Sequence, residues 1–278
     1  MNKRYFEANK ELWDEFARLH YETESEFYSV KSFLNGESTL KSYELKEMGN
    51  VKGKSLLHLQ CHFGLDTLSW AREGAIVTGI DFSSEAIRLA NLLANQAKIE
   101  AKFIESNIYD LPKVLFEKFD IVYTSIGVLC WLNNLKVWGQ IIANFLKPSG
   151  FFYIAENHPF SHVFDNVTND INNLQIYYNY FCEPEPMEFI ADGTYALEGS
   201  KFKPKKEYEW NHSISEIINS LIEAGLRIEF LNEYPFSIDK RFSFSERGPD
   251  GFYRLKNQKA IIPLLFTLKA VKPDLRGL

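Results

Sequence analysis

The chain has 278 residues, enough for one large α/β domain or a core domain with an inserted segment. Its 45% hydrophobic and 24% charged residues are typical of a globular protein, and a net charge of −6 argues against a nucleic-acid partner. No run of about 18 apolar residues occurs, so we expect no membrane span. Without an apolar leader or a CxxC cysteine pair, the chain is expected in the cytoplasm.

The first fifty residues are predicted to form an N-terminal helical cap over 1–50. Leu12, Phe16 and Leu19 fall on one stripe of a predicted helix over 9–20, and a second helix is expected near 38–48. This segment precedes the first strong strand. We therefore expect it to cover a structure that later residues form.

From residue 55 onward, short apolar runs alternate with amphipathic stretches. The pattern predicts strands over 55–61, 75–81, 101–107, 119–125 and 150–156, and helices over 65–73, 83–97 and 135–146. Such alternation predicts an α/β fold, with a parallel sheet and helices on both faces.

The alternation stops after this series. Residues 157–209 contain scattered aromatic residues, prolines and asparagines, and we interpret them as an inserted lid or acceptor segment. The pattern then resumes, so the core is predicted to comprise 51–156 and 210–278. The resuming elements are a helix over 213–224 and strands over 226–234 and 260–271.

The turn after the first predicted strand reads Q-C-H-F-G-L over residues 60–65. Ligands of open α/β sheets bind at the carboxyl ends of strands, and a glycine such as Gly64 permits close approach of the backbone. Asp81 ends the second predicted strand, where a carboxylate can accept both hydroxyls of a ribose. The pair indicates a nucleoside site, although an ordinary turn and a helix-capping aspartate would have the same sequence.

Five segments resemble the class I S-adenosylmethionine-dependent methyltransferases. They are L-L-H-L-Q-C-H-F-G (56–64), G-I-D-F-S (79–83), S-N-I-Y-D-L-P (106–112), F-D-I-V-Y-T-S (119–125) and L-K-P-S-G (146–150). The resemblance implies a Rossmann-like, seven-stranded, mostly parallel sheet with a reversed last strand. It is strongest to a bacterial and archaeal subgroup that carries L-H-L-Q-C-H-F-G intact.

The first motif departs from the usual pattern of that family, D-x-G-x-G-x-G. His58 stands at the position of the acid, Gln60 and His62 stand at the first two glycines, and Gly64 keeps the third. Gln60 and His62 are candidates to donate hydrogen bonds to the cofactor carboxylate. Alternatively, they fill the space of a differently shaped loop.

The resemblance also implies the residues that hold S-adenosylmethionine, the predicted cofactor. Asp81 is expected to bind the ribose, Phe82 to pack on the adenine, and Asn107 and the Ile108 backbone to meet the adenine edge. The methionine portion is expected near the end of the fourth strand. The predicted cofactor-binding residues are Gln60, His62, Gly64, Asp81, Phe82, Asn107, Ile108, Thr124, Ser125 and Ile126.

Methyl transfer requires alignment and, for a protonated nucleophile, a base. His158, His212 and Glu156 are the catalytic candidates, because they stand near predicted strand ends or next to the insertion. For each histidine the alternative is a structural role in a turn or a helix cap. The aromatic residues predicted to build the acceptor pocket, or else to pack the lid, are Tyr21, Tyr28, Tyr178, Phe181 and Trp210.

The sequence therefore predicts an S-adenosylmethionine-dependent methyltransferase that acts on a small-molecule acceptor. No nucleic-acid, membrane or metal partner is predicted, and the oligomeric state stays open, a dimer included. One alternative is a protein that binds the cofactor or its product without turnover. The other is a nicotinamide-dependent oxidoreductase, against which the first turn lacks G-x-G-x-x-G.

Overall fold

The computed structural model describes residues 3–25, 27–164, 174–197, 199–256 and 261–274. Its strands are β1 Ser55–Leu59, β2 Ile76–Asp81, β3 Lys102–Glu105, β4 Phe119–Thr124, β5 Leu146–Asn157, β6 Met187–Ala191, β7 Lys205–Glu209, β8 Arg227–Tyr234, β9 Ser245–Arg247, β10 Tyr253–Leu255 and β11 Leu265–Val271. Its α-helices are α1 Lys3–Glu22, α2 Val30–Leu34, α3 Ser42–Met48, α4 Leu65–Arg72, α5 Ser84–Ala97, α6 Leu135–Phe145 and α7 Ile214–Glu223. Short 3₁₀ helices span Ile108–Lys113, Leu129–Trp131 and Pro159–Val163.

The central sheet has seven strands in the order β3-β2-β1-β4-β5-β11-β8. The five strands from β3 to β5 pair in parallel, whereas β11 runs antiparallel between β5 and β8. The predicted Rossmann-like sheet with a reversed last strand is therefore confirmed.

The two faces of the sheet are both buried, as alternating side chains of the same strands show. Leu57 and Val122 pack in a cluster with Trp138 of α6 and with α7, while Leu56 and Tyr123 pack in a second cluster with α3 and α4. A parallel sheet covered on both sides favours apolar residues at most strand positions. This explains the near-continuous apolar runs in the sequence.

Several predicted boundaries differ from the structure. The strand expected over 260–271 begins only at Leu265, because Pro263 lacks the N–H that a ladder position donates; residues 257–260 lie outside the described residues. The segment 157–209 is not irregular throughout, since β6 and β7 pair as an antiparallel hairpin. No helix of the described residues is long and apolar enough to cross a membrane.

Helix α1 joins the core to the inserted segment. Its Asp14 carboxylate accepts a hydrogen bond from Ser83 Oγ at 2.6 Å at the start of α5. Its Asn9 side chain exchanges two hydrogen bonds with the Tyr208 backbone of β7, at 2.8 and 2.9 Å. The N-terminal helix is thus fixed to both parts of the molecule.

Candidate cofactor and acceptor site

The turn between β1 and α4 has a left-handed backbone at three alternate positions. Gln60, His62 and Gly64 have φ values of 57°, 51° and 81°. A left-handed conformation costs a non-glycine residue about 1–2 kcal/mol. These are the positions at which the related motif has its three glycines, so the turn keeps a glycine-like backbone with two bulky side chains.

Residue 64 must be glycine because a side chain would clash there, as well as because its backbone is left-handed. A Cβ atom on Gly64 would lie 2.7 Å from Cζ of Phe103, and Gly64 also precedes the first residue of α4. The close packing of this turn against β3 therefore explains why the third glycine of the motif is kept.

Asp81 connects the turn to the end of β2. Its Oδ2 accepts the backbone N–H of His62 and its Oδ1 accepts that of Ser83, both at 2.9 Å. Burial raises the pKa of Asp81 to about 6, although these two amides oppose the shift. Because each carboxylate oxygen offers two lone pairs, Asp81 keeps acceptor capacity for two hydroxyl groups of a ligand.

His58 replaces the motif acid with a buried structural contact. Its Nδ1 lies 2.8 Å from Thr67 Oγ1 and its Nε2 lies 3.2 Å from Ser125 Oγ, which joins β1 to α4 and to the end of β4. Burial lowers the pKa of His58 to about 3, so its ring is neutral at physiological pH.

A chain of three polar side chains links the turn to the inserted segment. His62 Nε2 lies 3.0 Å from His20 Nδ1 on α1, and His20 Nε2 lies 2.6 Å from Thr194 Oγ1. Burial lowers the pKa of His20 to about 3, so this contact is between neutral rings. The sequence placed His20 next to a helix stripe but gave no signal of this link, because the contact depends on how α1 docks.

A cavity of about 1230 Å³ opens at this edge of the sheet. Ligand pockets commonly measure about 300–1,000 Å³, so the volume suffices for a cofactor and a second small molecule. Nine aspartate or glutamate side chains and three lysine or arginine side chains line it among the described residues. The cavity is therefore an acidic environment that favours positively charged ligands.

Seven of the ten predicted cofactor-binding residues line this cavity. They are Gln60, His62, Gly64, Asp81, Phe82, Ser125 and Ile126. Gln60 Oε1 and His62 Nδ1 are buried without a hydrogen-bond partner in the described part of the chain, which fits a polar ligand at the turn.

The other three predicted cofactor-binding residues do not line the cavity. Asn107 Oδ1 accepts the Tyr109 N–H at 3.0 Å and caps the 3₁₀ helix, while Ile108 and Thr124 are buried in the core. The Ile108 prediction concerns its backbone, and Thr124 Oγ1 is buried without a hydrogen-bond partner among the described residues, so these three assignments stay predictions.

The predicted acceptor aromatics are also divided. Tyr28 and Tyr178 line the cavity. Tyr21 instead donates to Gln96 Oε1, and the side chain of Phe181 is 68% exposed. Trp210 is buried beside α1 and lines a separate small side cavity.

Glu156, one of the three catalytic candidates, anchors a loop. Its carboxylate accepts the backbone N–H groups of Gly127, Val128, Leu129 and Asn157 at 2.7–3.1 Å. Burial raises the pKa of this carboxyl, and the four amides oppose the shift. With all four donors directed at it, Glu156 holds the loop after β4 and lines only the side cavity.

The two histidine candidates also make structural contacts. His158 Nδ1 accepts the Phe160 N–H at 3.1 Å, and its Nε2 lies 2.8 Å from Glu233. His212 Nε2 lies 2.6 Å from the Leu132 carbonyl oxygen and its Nδ1 lies 3.1 Å from Glu216. The contacts of His212 raise its pKa to about 9, against the effect of burial. Neither ring lines the large cavity.

Sequence reasoning missed many of the polar residues that line the cavity. Among them are His162, Glu207, Glu209, Asp239 and Arg241. The glutamates alternate along β7 in K-K-E-Y-E, which is a strand signal, but with the polar face towards a cavity instead of solvent. A Cys182, His212 and Glu216 group also brings its possible ligand atoms within 4.8 Å of one another.

Comparisons with known proteins agree with this geometry. Residues 57–154 match a family model described as a methyltransferase domain. A putative methyltransferase of Geobacillus sp. is 24% identical over 217 residues, which cover 72% of this chain and 87% of the relative. A ubiquinone biosynthesis O-methyltransferase of Vibrio campbellii is 29% identical over 51% of this chain, and the match covers only 59% of that enzyme.

Solved structures share the fold. The S-adenosylmethionine-dependent methyltransferase of Mesorhizobium loti aligns with a TM-score of 0.59 at 19% identity, covering 86% of this chain and 99% of that one. A putative S-adenosylmethionine-dependent methyltransferase of Listeria monocytogenes aligns with a TM-score of 0.55 at 18% identity over 84% and 97%. The matched domain, the strand order and the fold shared with these enzymes support a methyltransferase that uses S-adenosylmethionine.

Proposed function

We propose that this enzyme methylates a small molecule held in the cavity that borders the cofactor turn. The carrying observation is that one cavity of about 1230 Å³ reaches from Asp81 and Gln60 to the hairpin of β6 and β7. A substrate bound there lies within the same cavity as the cofactor. Excess carboxylates in its lining disfavour nucleic acid, whose phosphates they would repel.

Seven residues are proposed to hold the cofactor: Gln60, His62, Gly64, Asp81, Phe82, Ser125 and Ile126, all of which line the cavity. Asp81 accepts the ribose hydroxyls with its free lone pairs, and the partnerless Gln60 Oε1 accepts a donor of the ligand. When bound, S-adenosylmethionine supplies a methyl group on a positively charged sulfur. The carboxylates of the cavity favour that charge.

The N-terminal cap, 1–50, and the insertion, 157–209, are proposed to cover the acceptor. Both supply lining residues, such as Phe16 and Met187, around the core residues of the turn. Contact through His20 fixes both segments relative to the cofactor turn. A covered site excludes water, which strengthens the electrostatic alignment of the reactants.

The experiment uses S-adenosylmethionine with an isotopically labelled methyl group and a cell extract separated by molecular size. Label in a small molecule other than S-adenosylmethionine itself is the expected result. The Asp81→Asn variant, added at equal concentration, controls for other methyltransferases in the extract. Label found only in protein or nucleic acid would contradict the small-molecule assignment.

A further inference from the structure

One part of the cavity wall, which we call the acidic wall, consists of Glu207, Glu209 and Asp239. Glu207 and Glu209 are two residues apart on β7, so they share one face of the strand, and both line the cavity. Burial raises the pKa of both carboxyl groups, and the Glu207 charge raises that of Glu209 further. Two buried carboxylates on one strand face favour the uptake of a proton, so the pair holds less than its full negative charge.

Asp239 gives an independent indication of a ligand. It lines the same cavity, and its Oδ1 is fully buried without a hydrogen-bond partner among the described residues. A buried acceptor of this kind is normally satisfied. A donor supplied by a ligand in the cavity would complete it.

The charged groups around the acidic wall leave an excess of carboxylates. Arg241 is close enough to lower the pKa of both Asp239 and Glu209. Other titratable groups near the pair include Cys130 and Tyr195, which carry no positive charge. His162 also lines the cavity, and burial and Arg241 hold its pKa well below its usual value. Three carboxyl groups therefore face one guanidinium, while Lys240 lies exposed at the edge of the cavity.

Aromatic side chains surround the remaining space. Phe16, Tyr28 and Tyr195 line the cavity, and the Tyr195 ring contacts the other two with centroids 6.2 and 6.4 Å apart. Such surfaces bury apolar groups, and they also attract cations through their ring faces.

We propose that the acidic wall binds the positively charged amino group of an acceptor with an apolar body, and that this nitrogen is methylated. The inference rests on the proposed function and names its substrate class. For transfer, the ammonium gives one proton to a carboxylate of the wall. The nitrogen lone pair then forms the new N–C bond, and the electrons of the broken C–S bond stay on sulfur in S-adenosylhomocysteine.

The proton held by the acidic wall gives a direct signature of amine binding. Burial, with the neighbouring Glu207 charge, raises the pKa of Glu209 to about 8. At pH 7 an ammonium that binds the pair therefore displaces a proton into solution. Calorimetry in two buffers of different ionisation enthalpy measures that release without any turnover.

The probes are three molecules of similar size and different charge: 2-phenylethylamine, 2-phenylethanol and phenylacetate. Each is titrated into the enzyme saturated with S-adenosylhomocysteine. We expect the amine to bind at least tenfold more tightly than the alcohol, with proton release, and phenylacetate to bind most weakly. This factor corresponds to one charge-assisted hydrogen bond.

Two variants distinguish an effect of the acidic wall from an effect of the overall negative charge of the cavity. Glu209→Gln removes one carboxylate of the pair, and we expect about a tenfold loss of amine affinity together with the loss of proton release. Asp192→Asn removes one charge at an exposed position of the same cavity and should leave the amine affinity and the proton release unchanged. Equal affinity for amine and alcohol, no amine binding at millimolar concentration, or equal losses in both variants would overturn the proposal.

The titrations, together with the labelling experiment of the proposed function, distinguish failure of this inference from failure of the proposed function. If the wild-type enzyme binds S-adenosylhomocysteine and methylates a small molecule that has no amino group, only the acidic-wall assignment fails. If label from S-adenosylmethionine reaches only macromolecules, the proposed function itself fails. Retained S-adenosylhomocysteine affinity in Glu209→Gln shows that the variant is folded.

Discussion

Protonation of Asp81 is expected to weaken cofactor binding below neutral pH. The carboxylate of Asp81 is buried, and burial raises its pKa to about 6. Ribose hydroxyls donate to the ionised carboxylate, whereas the protonated group loses acceptor capacity. Affinity for S-adenosylhomocysteine should therefore be constant above the pKa and fall as the pH decreases through it.

The magnitude follows from the fraction of ionised Asp81. At pH 5, a group of pKa about 6 is ionised in only about one molecule in eleven, so the apparent affinity falls about tenfold, or ~1.4 kcal/mol. The measurement is a calorimetric titration of S-adenosylhomocysteine at several values from pH 5 to pH 7. Near-ultraviolet circular dichroism at each pH confirms that the protein stays folded.

Glu44 provides the matched control. It lines the same cavity, and burial raises its pKa to about 7, so it also titrates in this range. Glu44→Gln should keep the loss of affinity at pH 5, whereas Asp81→Asn should bind weakly with little pH dependence. A flat affinity in the wild type, or a pH dependence that disappears with Glu44 instead of Asp81, would refute the assignment.

Three further predictions concern stability, each measured by urea unfolding. Gly64→Ala should lower the free energy of unfolding by about 2–4 kcal/mol, because it combines left-handed backbone strain with the Phe103 contact. Gly53 has a φ of 74° and open space around it, so Gly53→Ala should lower it by only about 1 kcal/mol. Equal losses would exclude the steric argument. Glu156→Gln should lose about 3 kcal/mol, since one carboxylate oxygen becomes an NH₂ that faces backbone N–H donors; a loss under about 0.5 kcal/mol would show that the anchored loop tolerates it. Burial lowers the pKa of His58 to about 3, compared with 6.5 in the unfolded chain. Between these pH values the unfolded chain binds a proton that the folded chain excludes. The free energy of unfolding should therefore be constant above pH 6.5 and fall by about 1.4 kcal/mol per pH unit as the pH decreases towards 3. His58→Gln should lack this term, and the difference between the two pH profiles is the test.

The core of the fold was predictable because its strands and helices differ in period. Buried strands such as β1 and β4 are short, mostly apolar runs, and helices between the strands begin at clear caps, as Ser83 shows for α5. The carboxyl ends of parallel strands converge, so the position of Asp81 in the sequence also placed it at the ligand edge.

The insertion was less predictable because its environment inverts the usual pattern. On β7, Glu207 and Glu209 face the cavity, whereas Tyr208 is buried against α1. Sequence patterns assume that charged residues face bulk solvent. The sequence of a strand whose polar face lines a cavity therefore resembles that of a loop.

The catalytic candidates show a second reason why the sequence did not predict all residues of the site. His158 and His162 are four residues apart after β5, and proximity to the strand end favoured the first. The 3₁₀ helix over Pro159–Val163 instead leaves His162 at the cavity and His158 against Glu233. Side-chain direction after a strand depends on the turn geometry, which local sequence does not determine.

The cofactor turn shows what the fold gains from replacing two glycines. Left-handed Gln60 and His62 cost about 1–2 kcal/mol each, and such strain persists only where surrounding contacts hold it. The contacts are visible: Gln60 Nε2 donates to the Val128 carbonyl oxygen at 3.2 Å, and Asp81 holds the His62 backbone. Glycine at these positions would keep the backbone path but would remove the His62 ring that meets His20. The substituted motif therefore keeps the left-handed turn and adds a side-chain connection from that turn to the N-terminal helix and the inserted segment, which are proposed to cover the acceptor.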